Sequence, residues 1–198
     1  MKRYGAILSI VLVVLQFALI LVSWIVSAVD TSSSIHSIIS AGGIRWFVGS
    51  LTHNISSPLL AYIVMGAISY SVFRNSGLSN VVSGKRKLSM QQKFAIRIMT
   101  LEFGLFVVCL LLATATPHAF LLSVTGNLFP SSFSRGIIPL LFSQIFIMSL
   151  IYGIISGTIN SLEKLWDAIT SGANSLVAVC FIYILAVQLF YSFIYVFS

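Results

Sequence analysis

Five stretches of this chain are long and apolar enough to cross a lipid bilayer as helices. A helix needs roughly 20 apolar residues to span about 30 Å of hydrocarbon, because each residue adds about 1.5 Å along its axis. The stretches of this length are residues 5–29, 55–73, 95–115, 137–155 and 175–197. With 58% hydrophobic and 8% charged residues, the 198 residues cannot enclose a core behind a water-soluble surface. The sequence therefore predicts an all-α integral membrane protein with five transmembrane helices.

The first stretch resembles a secretion signal in one respect, since Lys2 and Arg3 precede its apolar run. The apolar core of a signal peptide has about 7–15 residues, and the run from 6 to 29 is much longer. We therefore expect this stretch to remain in the protein as its first span.

The chain carries 11 lysine and arginine residues, and their positions predict its orientation. With the N-terminus in the cytoplasm, five spans leave only Arg45 and Arg135 outside. The residues placed inside are Lys2, Arg3, Arg74, Lys85, Arg86, Lys87, Lys93, Arg97 and Lys164. Because cytoplasmic loops are enriched in basic residues, this distribution predicts a multi-pass protein of the plasma (inner) membrane with its C-terminus outside. The same distribution accounts for the net charge of +7, so we predict the lipid bilayer as a partner and no nucleic acid.

Two of the connections between spans are amphipathic. In residues 43–55 and 160–173, apolar side chains recur three and four residues apart, which places them on one face of a helix. They are Ile44, Phe47, Val48, Leu51 and Ile55 in the first segment, and Leu162, Leu165, Trp166 and Ile169 in the second. Asn160 and Glu163 form a candidate capping pair at the start of the second helix. We expect both helices to lie on a membrane surface.

The order of span, amphipathic helix and span occurs twice, at residues 5–73 and 137–197. In the predicted topology the first copy begins inside and the second begins outside. Two such copies are typical of an inverted repeat and predict a pseudo-two-fold axis in the membrane plane. We therefore interpret residues 1–198 as a single membrane domain. Its parts are a first repeat-like unit (1–78), a basic link with the third span and an outer loop (79–135), and a second, inverted unit (136–198).

Four of the polar side chains inside the predicted spans are costly in hydrocarbon unless they face another helix: Gln16, Glu102, Gln144 and Gln188. For Gln16, Gln144 and Gln188 the sequence favours hydrogen bonds between helices. Glu102 is the carboxylate that lies well inside a span, and it is the candidate substrate-binding residue. Two interpretations are open for it: pairing with Arg97 or another interface position, or titration as part of a function.

The sequence contains no pattern typical of an enzyme. His36, His53 and His118 lack the spacing of metal ligands, and no second carboxylate stands near Glu102. We predict no catalytic residue, no metal and no cofactor.

A series of short motifs resembles the p-aminobenzoyl-glutamate (AbgT-type) transporters, which move aromatic and folate-related organic anions. The motifs in the first half are Gly43-Ile44-Arg45-Trp46, Asn54, Pro58-Leu59, Gly66 and Ser76-Gly77-Leu78. Those in the second half are Thr125-Gly126, Ser131-Ser132-Phe133, Gly136-Ile137, Tyr152-Gly153 and the segments 160–173 and 178–190.

The resemblance implies a transport protein, but it does not extend to the two re-entrant hairpins that hold substrate and cation in that family. After Ser76-Gly77-Leu78 the chain passes through Lys85-Arg86-Lys87 directly to the third span, and Arg74 stands where the family has an acidic residue. The chain therefore resembles the inner, dimer-forming scaffold of such a carrier. The expected partner is a second copy or a second multi-span membrane protein. The alternative is a non-transporting scaffold or regulatory protein derived from such a transporter.

Overall fold

The structure is a computed structural model that describes residues 2–29, 35–84, 88–115, 121 and 131–198. These ranges contain nine α-helices and no β-strand. The helices are α1 (Lys2–Val29), α2 (Ala41–Gly49), α3 (Leu51–Ile55), α4 (Pro58–Asn75), α5 (Leu78–Val82), α6 (Met90–Ala115), α7 (Ser132–Ile155), α8 (Leu162–Thr170) and α9 (Ala173–Phe197).

Four stretches of helix in the described ranges are long and apolar enough to cross a membrane. They are α1 from Tyr4, α6, α7, and the stretch Leu162–Phe197 that contains α8 and α9. The predicted second span corresponds to α4, which has 18 residues and ends with Arg74 and Asn75, and it is not among the four.

Burial is distributed as expected for a protein in lipid. Among the described residues the buried set contains 11 polar and ten apolar side chains, whereas leucine, isoleucine, valine and phenylalanine cover much of the surface. A water-soluble protein has the opposite arrangement. Together with the four long apolar helices, this identifies the chain as an all-helical membrane protein.

The chain forms two compact units. Unit 1 consists of Met1–Ile63 and Ser175–Ser198, and unit 2 consists of Val64–Asn174. Helices α4 and α9 therefore contribute residues to both units.

Hydrogen bonds and aromatic contacts connect α9 to other parts of unit 1. The backbone N–H of His36 donates to the carbonyl oxygen of Val196 at 2.9 Å. Nearby, Trp46 of α2 stacks on Tyr195 with ring centroids 4.3 Å apart. At the start of α4, the hydroxyl of Tyr183 donates to the carbonyl oxygen of Ile55 at 2.9 Å and lies 2.6 Å from the hydroxyl of Ser57. These contacts connect α2, α3 and the start of α4 to α9.

Unit 2 is built on the packing of α6 against α7. The two helices run antiparallel, because Glu102 contacts Gln144 near their midpoints while Leu121 bonds both Ala113 and Phe133 at one end. Near the other end, Leu78, Ala95 and Tyr152 form a buried apolar cluster, with the side chains of Phe73, Val81, Ile96, Met99 and Ile155 packed around it.

The hydroxyl of Ser71 occupies the joint between α8 and α9. It donates to the carbonyl oxygen of Ala168 at 2.7 Å and accepts from the N–H of Gly172 at 3.1 Å. In a continuous helix those two backbone groups would bond to each other. The inserted hydroxyl therefore interrupts the ladder and separates the two helices.

The helices differ from the sequence-based expectation in four places. The first amphipathic segment is divided at Ser50 into α2 and α3. The first turn of α8 is capped by Ser161, not Asn160, because the Ser161 side chain accepts from the N–H of Lys164. The segment after α4 contains the short helix α5, whose Leu78 is buried. Helix α7 begins at Ser132, with a capping box made by Ser131 and Ser134.

Other sequence-based predictions lie outside the described residues. They are the basic run at 85–87 and most of the outer loop, at 116–120 and 122–130.

Candidate functional site

Glu102 lies halfway along α6, which has 26 residues. In a bilayer this position is close to the centre of the hydrocarbon, where an ionised side chain costs about 2.5–3.5 kcal/mol to insert. The side chain is half-buried rather than directed fully into lipid. The sequence-based candidate is therefore placed on the face of α6 that meets another helix.

The partner of Glu102 is Gln144 of α7. The amide nitrogen Nε2 of Gln144 donates to both carboxylate oxygens of Glu102, at 2.9 and 2.8 Å. Gln144 is only 3% exposed and also lies near the midpoint of its helix. Among the contacts of the described residues, Glu102 meets Gln144 and not Arg97, which was one of the interpretations that the sequence left open.

A cavity of about 230 Å³ opens at the end of the same helix pair, in unit 2. Its lining residues are Gly77, Asn80, Val81, Leu88, Gln92, Tyr152 and Thr158. Glu102 is the tenth residue after Gln92 in α6, which corresponds to roughly 15 Å along the helix axis. The cavity and the half-buried carboxylate thus lie along one helix interface.

Local structure fixes Gln92 at the edge of this cavity. Its side-chain oxygen accepts from the N–H of Ser89 at 3.0 Å, and the Ser89 hydroxyl accepts from the N–H of Gln92 at 3.2 Å. This reciprocal pair is a capping box, which satisfies two donors at the start of α6. The left-handed conformation of Gly77, with φ of +82°, turns the chain from α4 into α5 on the other side of the cavity.

The other two span glutamines also bond to side chains of different helices, as the sequence predicted. Nε2 of Gln16 in α1 donates to the hydroxyl of Ser192 in α9 at 3.0 Å. Gln188 of α9 accepts from Nδ2 of Asn54 in α3 at 3.4 Å. These contacts belong to unit 1, so they are separate from the pair formed by Glu102 and Gln144.

Two features of the site were missed in the sequence. Gln144 was identified as a polar residue inside a span but not as the partner of Glu102. The signal available was that both residues lie at the centres of consecutive spans, which run antiparallel and so bring their midpoints together. The cavity is not predicted by the sequence, because the basic residues of the link favour a solvated segment, although Leu78 and Val81 occur at its start.

The chemistry available at this interface is hydrogen bonding and proton exchange. In the ranges that the structure describes, no three histidine, cysteine, aspartate or glutamate side chains come together as a metal site would require. Glu102 with Gln144 can hold a charge or a proton inside the membrane, and the cavity can admit a small polar molecule. In comparisons with known proteins, the chain matches no protein-family model, no curated protein and no solved structure.

Proposed function

We propose that this chain is a membrane transport protein that serves as the scaffold part of a carrier for an aromatic or folate-related organic anion of the p-aminobenzoyl-glutamate type. The observation that carries the proposal is the carboxylate of Glu102 held by Gln144 halfway across a membrane helix. Ionisable residues at this depth are rare because they are costly, and they mark ion or substrate pathways. The substrate class follows the resemblance described above to AbgT-type transporters.

In this proposal Glu102 couples transport to a proton or another cation. An amide can serve both protonation states of a carboxyl group, since its nitrogen donates to the carboxylate and its oxygen accepts from the protonated acid. Rotation of the Gln144 amide would therefore let Glu102 bind and release a proton with a partner in both states. The cavity beside Gln92 offers an approach to the same interface from one end of the helix pair.

The proposed topology has five spans, with α4 as the second, and an inverted repeat. The element order supports it, because short helices stand between two longer ones both at α1 to α4 and at α7 to α9. The N-terminus is then in the cytoplasm and the C-terminus outside. As the scaffold part of a carrier, the chain is completed by a second copy or a second multi-span membrane protein that supplies a substrate site.

The first experiment determines the native mass and composition of the tagged chain, extracted from its own membranes in mild detergent. Recovery of a stoichiometric multi-span partner, or of a dimer, is the expected result. A chain that is monomeric and without a partner contradicts the scaffold role.

The second experiment measures uptake of labelled p-aminobenzoyl-glutamate by liposomes that contain the recovered complex. We expect uptake by the native complex, and uptake at background level for Glu102→Gln, because an amide cannot exchange the proton. Glu163→Gln is the matched control, since Glu163 is an exposed carboxylate on α8, and it should leave uptake unchanged. Equal uptake by the native and Glu102→Gln complexes would show that Glu102 is only structural.

A second candidate function is a membrane scaffold or regulator that transports nothing. It is favoured by the continuity of α1, α6, α7 and α9, since carriers of the inverted-repeat type bind substrate at broken helices near the midplane. Pro139 lies inside α7 but in its first third, away from the midpoint. A stable dimer without uptake in the assay above would support this second candidate.

A further inference from the structure

In unit 1, four uncharged side chains form a polar cluster, which we call the amide cluster: Gln16, Asn54, Gln188 and Ser192. Gln188 and Ser192 are 6% and 0% exposed, and Asn54 is 3% exposed. Two hydrogen bonds join its members in pairs. Gln16 donates to Ser192 at 3.0 Å, and Asn54 donates to Gln188 at 3.4 Å. The cluster connects α1, α3 and α9 without a charged group among its members.

Each glutamine of the amide cluster uses only one end of its amide. The oxygen Oε1 of Gln16 and the nitrogen Nε2 of Gln188 are both buried, and neither has a partner among the described residues. The first is an acceptor without a donor, and the second is a donor without an acceptor. Within apolar helices such groups are costly, because lipid provides no hydrogen bonds in their place.

Both unpaired atoms lie beside the same short length of α9, because Gln188 is part of it and Gln16 of α1 is bonded to Ser192 within it. Gln188 and Ser192 are four residues apart, so their side chains emerge on one face with Cβ atoms about 6 Å apart. Gln16 is bonded to Ser192 and therefore places its own amide within about one helical turn of Gln188. One small group between them that both donates and accepts would satisfy both atoms.

We propose that the amide cluster binds the hydroxyl group of a small neutral molecule, which donates to Oε1 of Gln16 and accepts from Nε2 of Gln188. Water and a small polyol share this chemistry. An anion or a metal ion does not fit, because an anion offers Gln16 no donor and a cation offers Gln188 no acceptor. The site is separate from Glu102 and does not depend on the transport function proposed above.

The test uses the full chain in lipid nanodiscs with its glutamine side chains labelled with ¹⁵N. The chain has five glutamines, so the signals of Gln16 and Gln188 are assigned by their loss in Gln16→Leu and Gln188→Leu. Magnetisation transfer from water to each side-chain amide is then measured, without additive and with increasing glycerol. The exposed Gln91 is the positive control, and Gln144, whose nitrogen bonds to Glu102, is the buried reference.

If water is the occupant, we expect transfer to the Gln188 amide well above that for Gln144. If a polyol is preferred, glycerol should shift the Gln188 and Gln16 signals together and saturably, and the shift of either signal should disappear when the other residue is changed to leucine.

The proposal is overturned if Gln188 receives no more transfer than Gln144 and glycerol has no effect. It is equally overturned if the spectra show a direct contact between Gln16 and Gln188, since the two amides would then satisfy each other. Should the leucine variants not fold, Gln16→Asn and Gln188→Asn, which keep an uncharged amide, serve for the assignment, and the native chain with and without glycerol still gives the transfer and the shift.

Discussion

A carboxylate in the middle of a membrane helix is tolerated when another helix donates hydrogen bonds to it. Here that donor is a single amide nitrogen, and the two bonds from Gln144 to Glu102 are 2.9 and 2.8 Å long. Hydrogen bonds to charged groups contribute about 1.5–3 kcal/mol, more than neutral ones. The α6–α7 interface therefore depends on this pair as well as on apolar packing.

Removing the donor should destabilise unit 2. Gln144→Leu leaves the carboxylate of Glu102 without its partner, and we expect the free energy of unfolding to fall by about 2–3 kcal/mol, as for other buried groups left unsatisfied. The measurement is chemical or thermal unfolding in a fixed detergent or nanodisc.

The double variant with Glu102→Leu and Gln144→Leu is the control for this prediction. With both polar groups removed, most of the lost stability should return, because replacing both partners of a buried bond by apolar groups can be nearly neutral. If the double variant is less stable than Gln144→Leu alone, the pair is not the source of the destabilisation.

Sequence alone identified Glu102 but not its surroundings. A lone carboxylate in an apolar run is visible in any reading of the chain, whereas its partner depends on which helices pack together and at what register. The same limit applies to Ser71, an ordinary serine of α4 whose contacts with Ala168 and Gly172 lie about 100 residues away in the chain.

At the scale of single elements, α2 shows how far amphipathicity predicts orientation. The segment with the apolar stripe is helical, in the two pieces α2 and α3, but Ile44, Val48 and Leu51 are exposed, whereas Gly43 and Asn54 are buried. In lipid the apolar face of a helix can be turned outward, and the small and polar residues can form the protein contact. Periodicity therefore predicts the helix but not which face meets the protein.

Gly43 is required for the close approach of α2 to the segment before it. A Cβ atom at this position would meet the carbonyl oxygen of Ser37 and would lie 2.6 Å from the carbonyl carbon of Ile38. Because these are backbone atoms, they cannot rotate away. We expect Gly43→Ala to lower the unfolding free energy by about 1–3 kcal/mol, the usual cost of overpacking, measured by thermal unfolding in nanodiscs.

Gly49→Ala is the matched control on the same helix. A Cβ atom at Gly49 has no atom within 4 Å, so the substitution should be neutral or should stabilise the helix by up to about 1 kcal/mol. Equal destabilisation by both substitutions would contradict the tight contact at Gly43 and indicate a general effect on α2.

The joint between α8 and α9 leads to a third stability prediction. Ser71→Ala removes the hydroxyl that bonds Ala168 and Gly172, and leaves both backbone groups to find other partners. We expect a loss of about 1–3 kcal/mol, as for a buried group left unsatisfied, measured by denaturant unfolding. Ser83→Ala is the control, because the exposed Ser83 hydroxyl bonds to the carbonyl oxygen of Ser79 within its own turn. This substitution should change the free energy of unfolding by less than about 0.5 kcal/mol.

For the whole molecule, the number of spans decides the side on which the N-terminus lies. With five spans, the positive-inside rule places the N-terminus in the cytoplasm, with nine basic residues inside and two outside. With only the four long apolar stretches crossing, Lys2, Arg3 and Arg135 share one side and the other eight basic residues share the opposite side. The same rule then places the N-terminus outside.

Both alternatives place the C-terminus outside, so the N-terminus is the informative position. We expect a cysteine introduced before Tyr4, in a chain with Cys109 and Cys180 replaced by alanine, to resist an impermeant thiol reagent applied to intact cells. It should react after the membrane is permeabilised. Reaction in intact cells would mean that α4 does not cross and that the five-span inverted repeat is wrong.

Ser71, whose hydroxyl separates α8 from α9, also determines the length of the apolar helix that crosses the membrane. The stretch Leu162–Phe197 has 36 residues, and as one straight helix it would be about 54 Å long, far beyond about 30 Å of hydrocarbon. Interrupted by the Ser71 hydroxyl, its last part is α9, whose 25 residues extend about 37 Å and fit about 30 Å of hydrocarbon with a tilt near the upper end of the usual range of about 0–40°. A single hydroxyl group thereby limits the length of the last apolar helix. It also determines the thickness of the membrane that this helix matches.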